Sequence, residues 1–195
     1  YAEKPDTSKN GITKESVYEI VDSVKTSAVP VEKPTVIFLM SESFFDIAKL
    51  DNVTFSEDPI KNFHELQQNY STGNFVSNTY CGGTGYVELE FLTGMCSYFL
   101  NADDTLDSLS DDTYKKIPNI GDIFEKNGYT TKFLHSYDDS LYNRPLIYNE
   151  FGFDEICFSK DFKTNPQYSG GYFSDMTLTN EIISVYERSK DKPLM

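Results

Sequence analysis

Residues 35–40, TVIFLM, form an unbroken run of β-branched and apolar side chains with no polar alternation. A strand with one wet face would alternate. A continuous run bounded by Pro34 and by SESFFD suits a strand covered on both faces, as in a parallel sheet. Parallel strands need long crossovers, and helical windows supply them. ITKESVYEIVDSVKTSA places Val17, Ile20, Val21 and Val24 on one stripe, with Glu15 in the first turn. DPIKNFHELQQNY spaces Ile60, Phe63 and Leu66 likewise behind Pro59, and His64 within it reads as a surface residue.

Four further helical segments follow. One starts at Thr84 with Val87, Phe91 and Met95 inward, and one starts after Asn119 with Ile120, Ile123 and Phe124 inward and Gly128 as its stop. A short one ends at Gly152, and a last one carries Leu178, Ile182, Val185 and Tyr186 inward. Between them GNFVSNTY, YTTKFLHS and a short stretch after Gly152 read as strands. Strands alternating with helices predict an α/β fold, a mainly parallel sheet flanked by helices. The polar, turn-rich residues 1–11 read as a linker, so residues 1–33 are linker plus helix and residues 34–195 carry the sheet.

Composition narrows the partners. Hydrophobic residues make up 38% of the chain and aromatic ones 15%, enough for a core and too much for disorder. The net charge of −14 repels nucleic-acid backbones and anionic lipid, so nucleic acid is not an expected partner. Cys81, Cys96 and Cys157 lack CxxC spacing, so neither a zinc cage nor a disulfide-dense scaffold is indicated, and there is room for one disulfide. No run of about 18 apolar residues is present for a membrane span, nor a basic stretch followed by an apolar block for a signal peptide.

Chemistry points to TYCGGTGYVELEFLTG, residues 79–94. Paired glycines let backbone approach a ligand closely, and a helix start offers N–H donors to phosphate oxygens. A threonine hydroxyl is a poor nucleophile unless a base or a metal takes up its proton's charge. Glu42, at the carboxyl end of TVIFLM, stands where open α/β sheets collect ligands. A magnesium or manganese ion bridging Glu42 and Thr84 would supply that activation. The bland alternatives are a capping threonine at Thr84 and an ordinary loop acid at Glu42. No G-x-x-x-x-G-K-[ST] is present, so P-loop nucleotide hydrolysis is not supported.

TVIFLMSESFFD, NTYCGGTGYVELEFLTG, KFLHSYDDSLYNR and FGFDEICF, in that order, resemble the sulfatase-like domain of lipoteichoic acid synthases and related phosphoglycerol transferases, in the alkaline phosphatase superfamily. The resemblance runs from about Pro34 to the C-terminus. It implies that Glu42 is a metal ligand, that Thr84 is nucleophile and metal ligand, and that Tyr142 and Arg144 contact glycerophosphate. Tyr142 stands where well-known members carry tryptophan. Arg144 has its own rationale, because a guanidinium matches phosphate bidentately, with a surface salt bridge as the alternative. His135 ends the strand KFLHS as a candidate substrate-binding residue or a hydrogen-bonded structural one.

The resemblance also implies an Asp-His metal pair and a further histidine beyond the DKPLM at which this sequence stops, so the chain is expected to be the N-terminal part of its domain and inactive alone. The implied activity moves glycerophosphate from phosphatidylglycerol to a cell-envelope polymer or glycolipid. The implied place is the extracellular side of the cell membrane, tethered by transmembrane helices ahead of the linker. CGGTG lacks the Pro-Arg context of a sulfatase, and YVELEFLTG lacks the Pro-Cys pair of a phosphoethanolamine transferase. A non-catalytic envelope binding module on the same fold is the rival from another class.

Overall fold

The computed structural model describes residues 13–23, 32–41, 43–77, 79, 82–96 and 110–195. They form two compact units. The first comprises residues 1–36, 121–138 and 152–195, and the second residues 37–120 and 139–151.

In the first unit, β1 (Lys132–Leu134) pairs in parallel with β2 (Glu155–Cys157), Phe133 opposite Ile156. Leu194 makes a parallel bridge to Thr130, and Val36 N–H donates to Leu194 O at 2.8 Å. The α/β, mainly parallel architecture is therefore present. Helix α1 (Lys14–Ser23) is capped reciprocally, with Thr13 N–H on Ser16 Oγ at 2.9 Å and Ser16 N–H on Thr13 Oγ1 at 3.1 Å. The side chains of Val17, Ile20 and Val21, and all of Val24, lie outside the described residues.

Helix α5 (Ile120–Lys126) stops at Gly128, which is left-handed at φ +78°. Its Ile123 is exposed rather than inward. A two-residue Gly170–Gly171 turn, both at positive φ, joins β3 (Tyr168–Ser169) to β4 (Tyr172–Phe173) in an antiparallel hairpin.

Helix α7 (Asp175–Arg188) buries Thr177, Glu181 and Val185, while Tyr186 is exposed. Its inward stripe is partly polar because it anchors a loop. Glu181 accepts from Lys163 N, Thr164 N and Thr164 Oγ1, each at 2.9 Å. Burial pushes the Glu181 carboxyl up, and the bonds from Thr164 and Arg188 outweigh it and hold it below its ordinary value.

The second unit holds α2 (Lys61–Asn69), α3 (Thr84–Thr93), α4 (Asp111–Tyr114) and α6 (Arg144–Glu150). Its core gathers Val87, Leu89 and Leu92 of α3 with Tyr114, Ile147, Tyr148 and Phe151. Phe91 and Met95, expected inward, are exposed, and Phe91 meets Phe38 edge to face at 4.9 Å.

Two expected strands are not strands here. Residues 35–40 and 73–77 run without a ladder among the described residues, Asn78 and Tyr80 lying outside them, and Leu39 is 69% and Phe75 81% exposed. A strand's sequence forms a strand only when neighbours take its backbone groups, and among the described residues Val36 alone of TVIFLM donates to one. Residues 111–114 form one helical turn. Cys157 is a free thiol, and Cys81 lies outside the described residues. No described helix is long and apolar enough to cross a membrane.

Candidate functional site

Helix α3 begins on a backbone that only glycine adopts without strain. Gly82 and Gly83 have φ of +113° and +87°. Gly83 is the N-cap, and Thr84 is the first helical residue rather than the cap. A Cβ on Gly83 would stand 3.4 Å from Thr79 Cβ and from Tyr86 Cδ2, so the turn is packed as well as left-handed. Thr84 is half-buried, at the helix end where the dipole favours an anion.

One turn on, Glu88 shares the face of Thr84. Its carboxylate takes the Nε–Nη2 edge of Arg144, with Nε 2.9 Å from Oε2 and 3.2 Å from Oε1, and Nη2 on Oε1. Tyr148 Oη donates to Glu88 Oε2 at 3.3 Å. Arg144 is only 4% exposed, so its ion pair is buried, not superficial. Burial works against the guanidinium's charge, and Glu88 more than offsets it, leaving the pKa above its ordinary value. Burial also pushes the Tyr148 phenol well up, with the Glu88 carboxylate adding to it, so the hydroxyl stays a donor.

The turn into α6 is strained. Tyr142 and Asn143 have φ of +60° and +47°, consecutive non-glycine residues in the left-handed region. That turn sets the Tyr142 ring against the guanidinium, 4.9 Å from Cζ to centroid. The structure thus joins Thr84, Glu88, Arg144 and Tyr142 through α3 and α6, within one unit.

The sulfatase family model matches residues 34–195. The chain belongs to the sulfatase family. This sulfatase-family chain is 35% identical over 161 residues to a putative cyclic beta-1,2-glucan modification protein of Rhizobium meliloti (strain 1021), covering 82% of the chain and 24% of that protein. It is 28% identical over 160 residues to the capsular polysaccharide biosynthesis protein RkpI of the same organism, covering 80% of the chain and 29% of that protein. Among solved structures, Streptococcus pyogenes phosphoglycerol transferase GacH in complex with sn-glycerol-1-phosphate is similar at a TM-score of 0.71 and 27% identity, covering 88% of the chain and 45% of GacH. The chain therefore spans about a quarter of the curated relatives it matches, 24% and 29% of their lengths. Its fold is alkaline phosphatase/sulfatase-like, similar to that of a phosphoglycerol transferase.

Enzymes of this superfamily are generally metal-dependent. Thr84 offers a hard oxygen, right in kind for magnesium or manganese. Glu42 lies outside the described residues, and among the described residues no group of three or more His, Cys, Asp or Glu side chains converges to hold a metal ion. The described residues alone do not make a metal site.

His135 belongs to the other unit. It follows β1 directly, its N–H donates to Cys157 O at 2.9 Å, and its Nδ1 accepts from Tyr137 N at 3.2 Å. The ring lies nearly parallel to Phe133. An accepting Nδ1 places the proton of the neutral ring on Nε2. His64, read as a surface residue, is instead half-buried between Asp58 and Asp46. Sequence reasoning passed over Glu88. The available signal was an acid one turn from Thr84, on a helix whose Val87, Leu89 and Leu92 are apolar enough to be buried, where a carboxylate needs a partner.

Proposed function

We propose that the complete protein transfers glycerophosphate from phosphatidylglycerol to a cell-envelope saccharide through a covalent intermediate on Thr84. The observation that carries this reading is Thr84 set at the start of α3 on two left-handed glycines, within a fold similar to a phosphoglycerol transferase. The Thr84 hydroxyl oxygen bonds to phosphorus, the ester bond to the diacylglycerol oxygen breaks, and diacylglycerol leaves with a proton. An acceptor hydroxyl then attacks the same phosphorus, and Thr84 is restored with its proton. A manganese or magnesium ion, with Glu42 and Thr84 among its ligands, would lower the hydroxyl's pKa and neutralise phosphate charge. Amides at the start of α3 face the phosphoryl oxygens, and Arg144 and Tyr142 flank them. His135 is proposed to donate to substrate from Nε2. The two rhizobial relatives, by name concerned with a glucan and a capsular polysaccharide, support a saccharide hydroxyl as acceptor. The proposed place of the reaction is the extracellular side of the cell membrane.

The test uses the complete protein with phosphatidylglycerol vesicles and a divalent cation. Diacylglycerol release is expected to fall by about three orders of magnitude in Thr84→Ala. Mass spectrometry of the wild type, quenched without acceptor, is expected to find glycerophosphate on the peptide containing Thr84. Full release by Thr84→Ala would remove that residue from the mechanism.

A further inference from the structure

The β3–β4 hairpin carries a tyrosine that the fold does not cover. Tyr168 stands opposite Phe173 on one face, and Tyr172, opposite Ser169, projects from the other. There Tyr172 meets Tyr137, with ring centroids 5.8 Å apart and planes inclined by 45°. Tyr172 is 62% exposed and Tyr137 42%. Neither phenol has a hydrogen-bond partner among the described residues.

The backbone that carries both rings is nevertheless held. Ser159 N–H donates to Tyr137 O at 3.0 Å, and Tyr137 N–H donates to His135 Nδ1. The root of the hairpin is closed by Ser174 N–H on Gln167 O at 2.8 Å. Fully buried Thr177 accepts from Gln167 N at 2.7 Å and donates to Gln167 O at 2.8 Å. Phe173 packs on Phe162 across the far face. Two exposed rings in contact, carried on backbone that is already held, form a surface whose backbone ordering cost is met by the fold.

The chemistry of that surface selects its ligand. A phenol offers an apolar face and a polar tip, complementary to a pyranose with its C–H face and its rim of hydroxyls. Tyr137 lies just beyond the carboxyl end of β1, on the side of a parallel sheet where ligands gather. A chain of net charge −14 disfavours a polyanionic polymer there and tolerates an uncharged sugar.

We propose that Tyr137 and Tyr172 form a stacking platform for a neutral sugar ring of the acceptor. This rests on the glycerophosphate-transfer reading and assigns a surface that recognises the acceptor's sugars.

The experiment measures transfer by the complete protein to neutral β-1,2-linked glucan oligosaccharides, with donor turnover followed separately without acceptor. In Tyr137→Ala and Tyr172→Ala the KM for oligosaccharide is expected to rise about tenfold, while donor turnover without acceptor stays unchanged. Tyr172→Phe, which keeps the ring, is expected to stay near wild type, and Tyr172→Leu, apolar without a flat ring, to behave as the alanine variant. An unchanged KM in both alanine variants overturns the platform, as does lost vesicle binding in them with KM intact. If an alanine variant fails to fold, the Phe and Leu pair decides. If the wild type turns over no phosphatidylglycerol, the transfer reading has failed. Calorimetric titration with the same glucan then decides the platform: binding lost in Tyr172→Leu upholds it, and equal or absent binding in wild type and variant overturns it.

Discussion

Glu88 and Arg144 make the costliest commitment in the described structure, because a carboxylate and a guanidinium are both withdrawn from water one turn from Thr84. Arg144, the proposed phosphate contact, also gives its Nε–Nη2 edge to Glu88, and its Nη1 lies 3.5 Å from Leu141 O. The residue therefore ties the strained Tyr142–Asn143 turn to the helix that Thr84 begins. Breaking such a pair from one side leaves the other charge buried. Glu88→Ala is expected to destabilise the protein by about 3–5 kcal/mol, more than a surface ion pair is worth. Urea denaturation of the complete protein checks this through the midpoint at constant slope. A loss under about 1 kcal/mol would mean that solvent reaches the guanidinium after all.

At the scale of elements, His64 clamps α2 to the short 3-10 turn Ile47–Lys49 that follows residue 42 by a few positions. Nδ1 lies 2.7 Å from Asp58 Oδ2 and Nε2 3.3 Å from Asp46 Oδ2, with Lys49 on Asp46 and the Phe63 ring beside the imidazole. The bonds to Asp58 and then Asp46 raise the His64 pKa, and the bond from His64 lowers that of Asp58. A raised histidine contributes fully below its unfolded value and loses that contribution as pH rises through the folded one. A lowered aspartate contributes above its unfolded value and loses it as pH falls through the folded one. The clamp is therefore expected to hold best in mildly acidic solution. Denaturation across a pH series should show the advantage of wild type over His64→Gln shrinking above neutrality, and an advantage independent of pH would refute the clamp. His64 also marks how far the sequence was legible. Helical spacing located α2, α3, α5, α6 and α7, because that period is written within each segment. It did not reveal Asp46 and Asp58 around His64, or Glu88 beneath Arg144, because those pairings are made only when distant segments meet. Strands fared worse for the same reason: TVIFLM has the composition of a buried strand but lacks described neighbours to make it one. The β3–β4 hairpin was readable and missed, since Gly170–Gly171 between aromatic residues is a two-residue turn signal.

For the whole molecule, charge and apolar surface pull in opposite directions. A net charge of −14 favours solubility and a monomeric state. Against it, Ile37, Phe38, Leu39 and Met40 are exposed in succession, as are Phe75 and Val76 at 81% each. Isolated apolar side chains on a surface need no explanation, but consecutive ones form the kind of surface that attracts a cover. Charge repulsion is screened within about 10 Å at 0.1 M salt, whereas burial of apolar surface is not weakened by moderate salt. The 195-residue chain on its own is therefore expected to bind a hydrophobic dye and to self-associate as salt is added. Sedimentation velocity at low and moderate ionic strength, with dye fluorescence in parallel, reads both effects. Replacing Leu39 and Phe75 together by lysine should lower dye binding and shift the distribution toward monomer, although it also reduces the net charge that keeps copies apart. That opposition makes the double variant decisive: a lysine pair that increased association would show charge, not apolar exposure, to govern the chain's behaviour.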